Sequence, residues 1–228
     1  ACRENQKLSH EKNFSRISFP KNAVSWKIRM NQHFNLENIR EDFPILDQEI
    51  NGSPLTYFDN AASTQKPKAV INAIKNYYEH DHANVHRGVH SLSVRATELY
   101  EESRKKIAQF INANSTNEII FTRGTTESIN ILASGLSDLV KQGDEILIST
   151  MEHHSNIVPW QELCIRTGAV LKIIPINNLG ELQLDSLEKL LSKKTKVIPV
   201  THISNTLGKI NPIKKIIELA HLHNAYVV

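Results

Sequence analysis

Cysteine is nearly missing from this chain of 228 residues, with Cys2 and Cys164 the only two. A disulfide framework is thereby excluded and a reducing compartment is indicated. No run of about 18 consecutive apolar residues occurs, so no segment reads as a membrane-spanning helix. Glycine and proline number only 8 each, too few for a collagen-like or low-complexity chain, while 40% apolar residues is the content of an ordinary globular protein. Neither G-x-G-x-x-G nor G-x-x-x-x-G-K-[ST] is found, which leaves a dinucleotide or Walker-type site unsupported.

Charge of one sign is scarce in the leader. The first 40 residues hold eight basic and three acidic residues, leaving 19 basic against 21 acidic in the rest of the chain. A nearly neutral body argues against nucleic-acid binding, which requires basic residues gathered on the folded domain. The leader is basic, contains Ser9, Ser15, Ser18 and Ser25, and has no Asp. That is the composition of an organelle transit peptide, with a chance basic tail as the bland alternative.

From about residue 55 the chain alternates β-rich and helix-periodic segments. Strands are expected at Leu55 to Asp59, Glu118 to Thr122, Glu145 to Ser149, Val170 to Pro175, Lys196 to Val200 and from Ala225. Helices are expected at Pro67 to Tyr78, Ser91 to Phe110, from about Thr126, at Asn156 to Arg166, Asp185 to Leu191 and Pro212 to His221. This alternation predicts an α/β fold, a mostly parallel sheet with helices on both faces. The chain stops at Val228 inside an apolar β-run, so a continuation beyond it is expected.

Ligands of open α/β sheets bind beyond the carboxyl ends of the strands. Thr122-Arg123-Gly124-Thr125-Thr126-Glu127 places a glycine and two hydroxyls at a helix start, where backbone N–H groups and the dipole suit an anion; the bland reading makes Thr125 a simple N-cap. Met151 to Asn156 follows the next strand and offers a flat imidazole for stacking, and Thr201 to Asn205 offers an amide. His86-Arg87-Gly88-Val89-His90 lies in a loop before the long helix, a place suited to substrate contacts. The H-x-x-x-H spacing of His86 and His90 lacks the Glu of H-E-x-x-H, and His153 and His154 would point opposite ways on a strand, so no metal site is assigned. Cys164 sits within a helical run and reads as a small core residue rather than a nucleophile.

The runs Y-F-D-N-A-A-S-T-Q-K-P (Tyr57 to Pro67), N-V-H-R-G-V-H (Asn84 to His90), R-G-T-T-E-S-I-N (Arg123 to Asn130), M-E-H-H-S-N-I-V-P-W (Met151 to Trp160) and T-H-I-S-N-T-L-G (Thr201 to Gly208), in order, closely resemble the SufS-type cysteine desulfurases. These are class-V aminotransferase-like enzymes of fold type I that use pyridoxal 5'-phosphate. The resemblance runs from about Ile39 to Val228. It implies a basic extension over residues 1–38 and the N-terminal part of a pyridoxal-phosphate-binding domain over 39–228. It implies that Thr125 and Thr126 bind the cofactor phosphate, that His153 stacks on the pyridine ring and that Asn205 contacts the phenolic oxygen. Ala61, His86 and Arg87 are implied in the substrate pocket. The implied reaction removes sulfur from L-cysteine, leaving L-alanine and a protein persulfide for a sulfur-acceptor protein of iron-sulfur assembly. A homodimer and, with the basic leader, a plastid location are implied as well. The family's Schiff-base Lys and nucleophilic Cys are expected beyond Val228, so these 228 residues alone should not turn over cysteine. Selenocysteine lyase, another class-V aminotransferase-like enzyme and a non-catalytic binding or scaffold relative are the alternatives.

Overall fold

The computed structural model describes residues 35–228, and the basic leader up to residue 34 lies outside the described residues. Two compact units divide the chain.

The first comprises, among the described residues, 35–58 and 65–75. Asn35 caps helix α1 (Leu36–Glu41) through its side-chain oxygen, which accepts from the N–H groups of Glu37 at 3.0 Å and Asn38 at 3.3 Å, as an N-terminal Asn does. Strands β1 (Glu49–Ile50) and β2 (Ser53–Pro54) form an antiparallel hairpin. Its turn is Asn51-Gly52, with φ of 54° and 74°, the Asn-Gly pair that a two-residue turn with both φ positive favours. The strand expected at Leu55 to Asp59 is not formed: pairing ends at Pro54, after which Leu55 N–H donates to the Gln48 carbonyl at 3.0 Å. Most of helix α2 (Lys68–Asn76) follows, its first N–H bonded to the Asp42 carbonyl at 2.7 Å.

The second unit, residues 59–64 and 76–228, holds helix α3 (Ser91–Phe110), helix α4 (Thr125–Gly135) and a parallel sheet. Strand β3 (Glu145–Ser149), helix α5 (Val158–Thr167), strand β4 (Val170–Ile174), helix α6 (Leu184–Leu190), strand β5 (Thr195–Ile198), helix α7 (Ile213–His221) and strand β6 (Tyr226–Val227) alternate along the chain. The spatial order is β4-β3-β5-β6, every pairing parallel. All five residues of β3 are buried, as a central parallel strand covered on both faces requires. Because side chains alternate across a strand, Ile146 and Ile148 pack with Trp160, Leu163 and Ile129 of α5 and α4. Leu147 instead packs with Leu187 of α6 and Ile216 of α7. The result is the expected three-layer α/β arrangement.

The strand expected at Glu118 to Thr122 is a correction. Thr116–Glu118 makes a 3-10 turn, and residues 119–122 pair with none of the described strands. Ile119 is extended there, its carbonyl taking the Arg104 guanidinium in place of a ladder donor. An apolar β-type run becomes a strand only where a neighbour supplies hydrogen bonds.

Candidate functional site

From β3 the chain runs through α5 to β4 on one side, and from β5 through α7 to β6 on the other. The connections diverge between the carboxyl ends of β3 and β5, and a crevice opens at that switch point. A cavity of about 290 Å³ lies there. It is lined by Thr125 and Ile129 of α4, by Glu152, His153, Ser155 and Asn156 after β3, by Val200 and Thr201 after β5, and by Val228 after β6.

The α4 start is built to leave donors free. Gly124 is the N-cap residue and gives no side-chain cap, so the bland reading of Thr125 as the cap does not hold: Thr125 is already the first helical residue. Gly124 has φ 157° and ψ 177°, a region only glycine enters readily, and an added Cβ there would meet nothing within 4 Å. Glu127 closes the turn, its carboxylate accepting from the Arg123 N–H at 2.6 Å and pairing with the Arg123 guanidinium at 2.8 Å. Those Arg123 contacts hold the Glu127 carboxyl below the usual carboxylate range.

His153 Nδ1 lies 3.2 Å from the Ser155 backbone nitrogen and 2.9 Å from its hydroxyl. A backbone N–H only donates, so Nδ1 accepts and the proton of the neutral ring resides on Nε2. The imidazole is exposed, available to lie against a flat ligand while its Nε2–H donates.

Glu152, passed over in the sequence, is 8% exposed. One carboxylate oxygen accepts from the Ser149 hydroxyl and, at 2.9 Å, from the Thr201 backbone N–H. The other takes the Asn156 amide at 2.8 Å, and Asn156 in turn accepts from the Trp160 indole at 2.9 Å. The adjacent His153 and His154 could have drawn attention to it; a Glu in a polar run carries no burial signal.

Of the expected site residues, the structure gathers Thr125 and His153 at one cavity. Thr126 is the second residue of α4, its carbonyl accepting from the Asn130 amide at 2.8 Å. Asn205 is exposed in the turn after Ser204, and from that loop it is Thr201 that lines the cavity. Ala61, His86 and Arg87 are exposed and are not among the lining residues. The His86 loop is pinned to α3. The Ser93 hydroxyl donates to the Asn84 carbonyl at 2.6 Å and accepts from Gly88 N–H at 3.0 Å, and the His86 N–H donates to Thr97 Oγ1 at 3.0 Å. His86 takes a left-handed φ of 65°, unusual without glycine, and its ring pairs with Glu101 at 3.0 Å. A Cβ on Gly88 would come within 2.5 Å of Ser93 Cβ. Cys164 packs against Trp160 and Leu163 in the core, and burial pushes its thiol up, away from nucleophile chemistry.

The fold is of the open α/β class, and its cavity, uncapped helix start and exposed imidazole lie where such folds bind ligands. The aminotransferase class-V model matches residues 56–228, and the chain belongs to that family. A probable cysteine desulfurase of Synechocystis sp. is 55% identical over 192 residues, 83% of this chain and 46% of the relative. The cysteine desulfurase of Escherichia coli is 52% identical over 196 residues, 86% of this chain and 48% of the relative. Among solved structures, the apo cysteine desulfurase of Thermococcus onnurineus superposes with TM-score 0.78 at 42% identity, covering 84% of this chain and 46% of that one. A structure of C-DES with glycine covalently linked to its PLP cofactor gives TM-score 0.69 at 25% identity over 82% of this chain and 47% of that one. The chain spans about half the length of the Synechocystis and Escherichia coli relatives, and 31% of a cysteine desulfurase from Synechococcus elongatus.

Proposed function

We propose that this chain is the cofactor-holding half of a pyridoxal-phosphate-dependent cysteine desulfurase, which removes sulfur from L-cysteine to leave L-alanine and a persulfide on the protein. The observation that carries the reading is the meeting of Thr125 and His153 at the crevice between β3 and β5, together with the kinship to cysteine desulfurases. A phosphate fits the free N–H groups of the α4 start, with the Thr125 and Thr126 hydroxyls as further donors. The His153 imidazole suits the face of an aromatic ring, and Asn205 a ring oxygen. When bound, pyridoxal phosphate supplies an electron sink for the bond changes at substrate carbon. The protein's part is orientation: the helix start anchors one end of the ligand and His153 fixes its plane.

The finer identity follows the resemblance: a SufS-type enzyme of iron-sulfur assembly that passes its sulfur to an acceptor protein and works as a homodimer. The basic, Asp-free leader supports plastid targeting. Import of a reporter fused to the first 40 residues tests that, and purely cytosolic fluorescence would overturn it.

The function is tested on the full-length protein by following alanine and sulfide from L-cysteine under reductant. Equal amounts of both are expected. Thr125→Val should weaken pyridoxal phosphate binding about tenfold through the lost hydroxyl donor to an anion, read by titration of the apoprotein. Full turnover without the cofactor would sink the proposal.

A further inference from the structure

A buried carboxylate whose hydrogen-bond partners are all neutral needs a reason. Glu152 is 8% exposed, and it accepts from the Ser149 hydroxyl, the Asn156 amide and the Thr201 backbone N–H. The Thr201 carbonyl accepts from the Asn211 amide at 2.7 Å, and the same amide approaches Met151 Sδ at 3.2 Å. The backbone of Thr201 is therefore gripped on both sides, and both grips reach the loop after β3. Thr201 and His153, the neighbour of Glu152, line one cavity.

The polarity of this network is set by Trp160. Its indole only donates, so it fixes the Asn156 oxygen toward itself and the Asn156 NH2 toward Glu152. Thr201 N–H can only donate as well. The group at position 152 must therefore accept on both oxygens, which a carboxylate does and an amide does not.

We infer that Glu152 is a positioning residue that clamps the loop after β3 to the loop after β5 and so holds His153 and Thr201 at the separation the bound cofactor requires. The inference rests on reading the cavity as the pyridoxal phosphate site. Glu152 lines the cavity as well, but both of its carboxylate oxygens are taken up by the two loops, so it acts through the residues it holds.

The test uses the full-length apoprotein, titrated with pyridoxal 5'-phosphate and followed by ligand absorbance, with the thermal midpoint measured in parallel. Glu152→Gln sets an NH2 group against either the Asn156 NH2 or the Thr201 N–H, and the dissociation constant should rise about tenfold or more. Adding Trp160→Phe frees Asn156 to turn over and accept from the new amide, so the double variant E152Q/W160F should regain most of that affinity. Glu145→Gln, at the opposite end of the sheet, serves as the structural control. It should lower the thermal midpoint and leave the dissociation constant within about twofold, the range of a remote and independent site. Glu152→Asp retracts the carboxylate by one methylene and should weaken binding like E152Q, which keeps the inference testable if E152Q does not fold. Wild-type affinity in E152Q or E152D, or a double variant as weak as E152Q alone, would overturn the clamp. Failure of the wild-type protein to bind pyridoxal phosphate would overturn the site reading instead.

Discussion

Two buried glutamates stand at opposite ends of the same sheet, and they are solved differently. Glu145 begins β3 at its amino end. It pairs with Lys172 of β4 at 2.7 Å and accepts from the Ser192 hydroxyl at 2.7 Å and the Thr195 hydroxyl at 3.3 Å. Burial pushes its carboxyl up, but Lys172 and the two hydroxyls outweigh that and hold it below the usual range. Glu152 follows β3 at the carboxyl end and, among the described residues, is held by neutral donors. A paired charge serves the fold, since its cost is offset on the spot. A carboxyl group held by neutral partners at the end of the sheet that carries the cavity serves the shape of that end.

The comparison breaks most deeply at Trp160, which is fully buried and orients Asn156 beneath Glu152. Trp160→Ala should cost about 3–5 kcal/mol of stability through the cavity it leaves, with cofactor affinity falling as the carboxyl end loosens; chemical denaturation and apoprotein titration read the two effects. Next comes Glu145→Ala, which strands Lys172. Lys172 is 29% exposed and can turn to water, so the loss should be about 2 kcal/mol, with cofactor affinity unchanged. A fall in affinity equal to that of the Glu152 variants would erase the distinction between the two ends.

Acid sharpens the contrast further. The folded-state carboxyl of Glu145 is lowered, so its contribution to stability is present above the unfolded value of about 4.3 and is lost as pH falls through the folded value. Denaturation midpoints should drop on going below about pH 4, and less steeply in Glu145→Gln. A wild-type and variant pair with parallel acid limbs would refute this. The smallest effect belongs to Arg123→Ala. The Arg123 side chain is 91% exposed, and the backbone N–H of residue 123 still reaches Glu127. The denaturation midpoint should not move, as for most exposed ion pairs.

Long periodic and uniformly apolar segments were legible in the sequence. The helix at Ser91–Phe110 and the strand at Glu145–Ser149 are found with the expected bounds, because a 20-residue amphipathic stripe and a buried central strand state their own period. The runs at Leu55 to Asp59 and Glu118 to Thr122 have strand-like composition but find no partner, and composition does not report partners. At the cavity, the placing of Thr125 at a helix start and of His153 after a strand could be read, because helix starts and strand ends carry local signals. Glu152 could not be read, because its burial depends on a Thr201 N–H 49 residues away.

What the sequence by itself determined is the alternation of strands and helices, the family blocks and the residue types at the strand ends, all of which are local patterns of period and chemistry. Only the tertiary structure decided the order β4-β3-β5-β6, the crevice that this order opens, and which side chains share it. Those depend on pairings between distant segments, where hydrogen bonds and burial are settled by the neighbour and not by the residue alone.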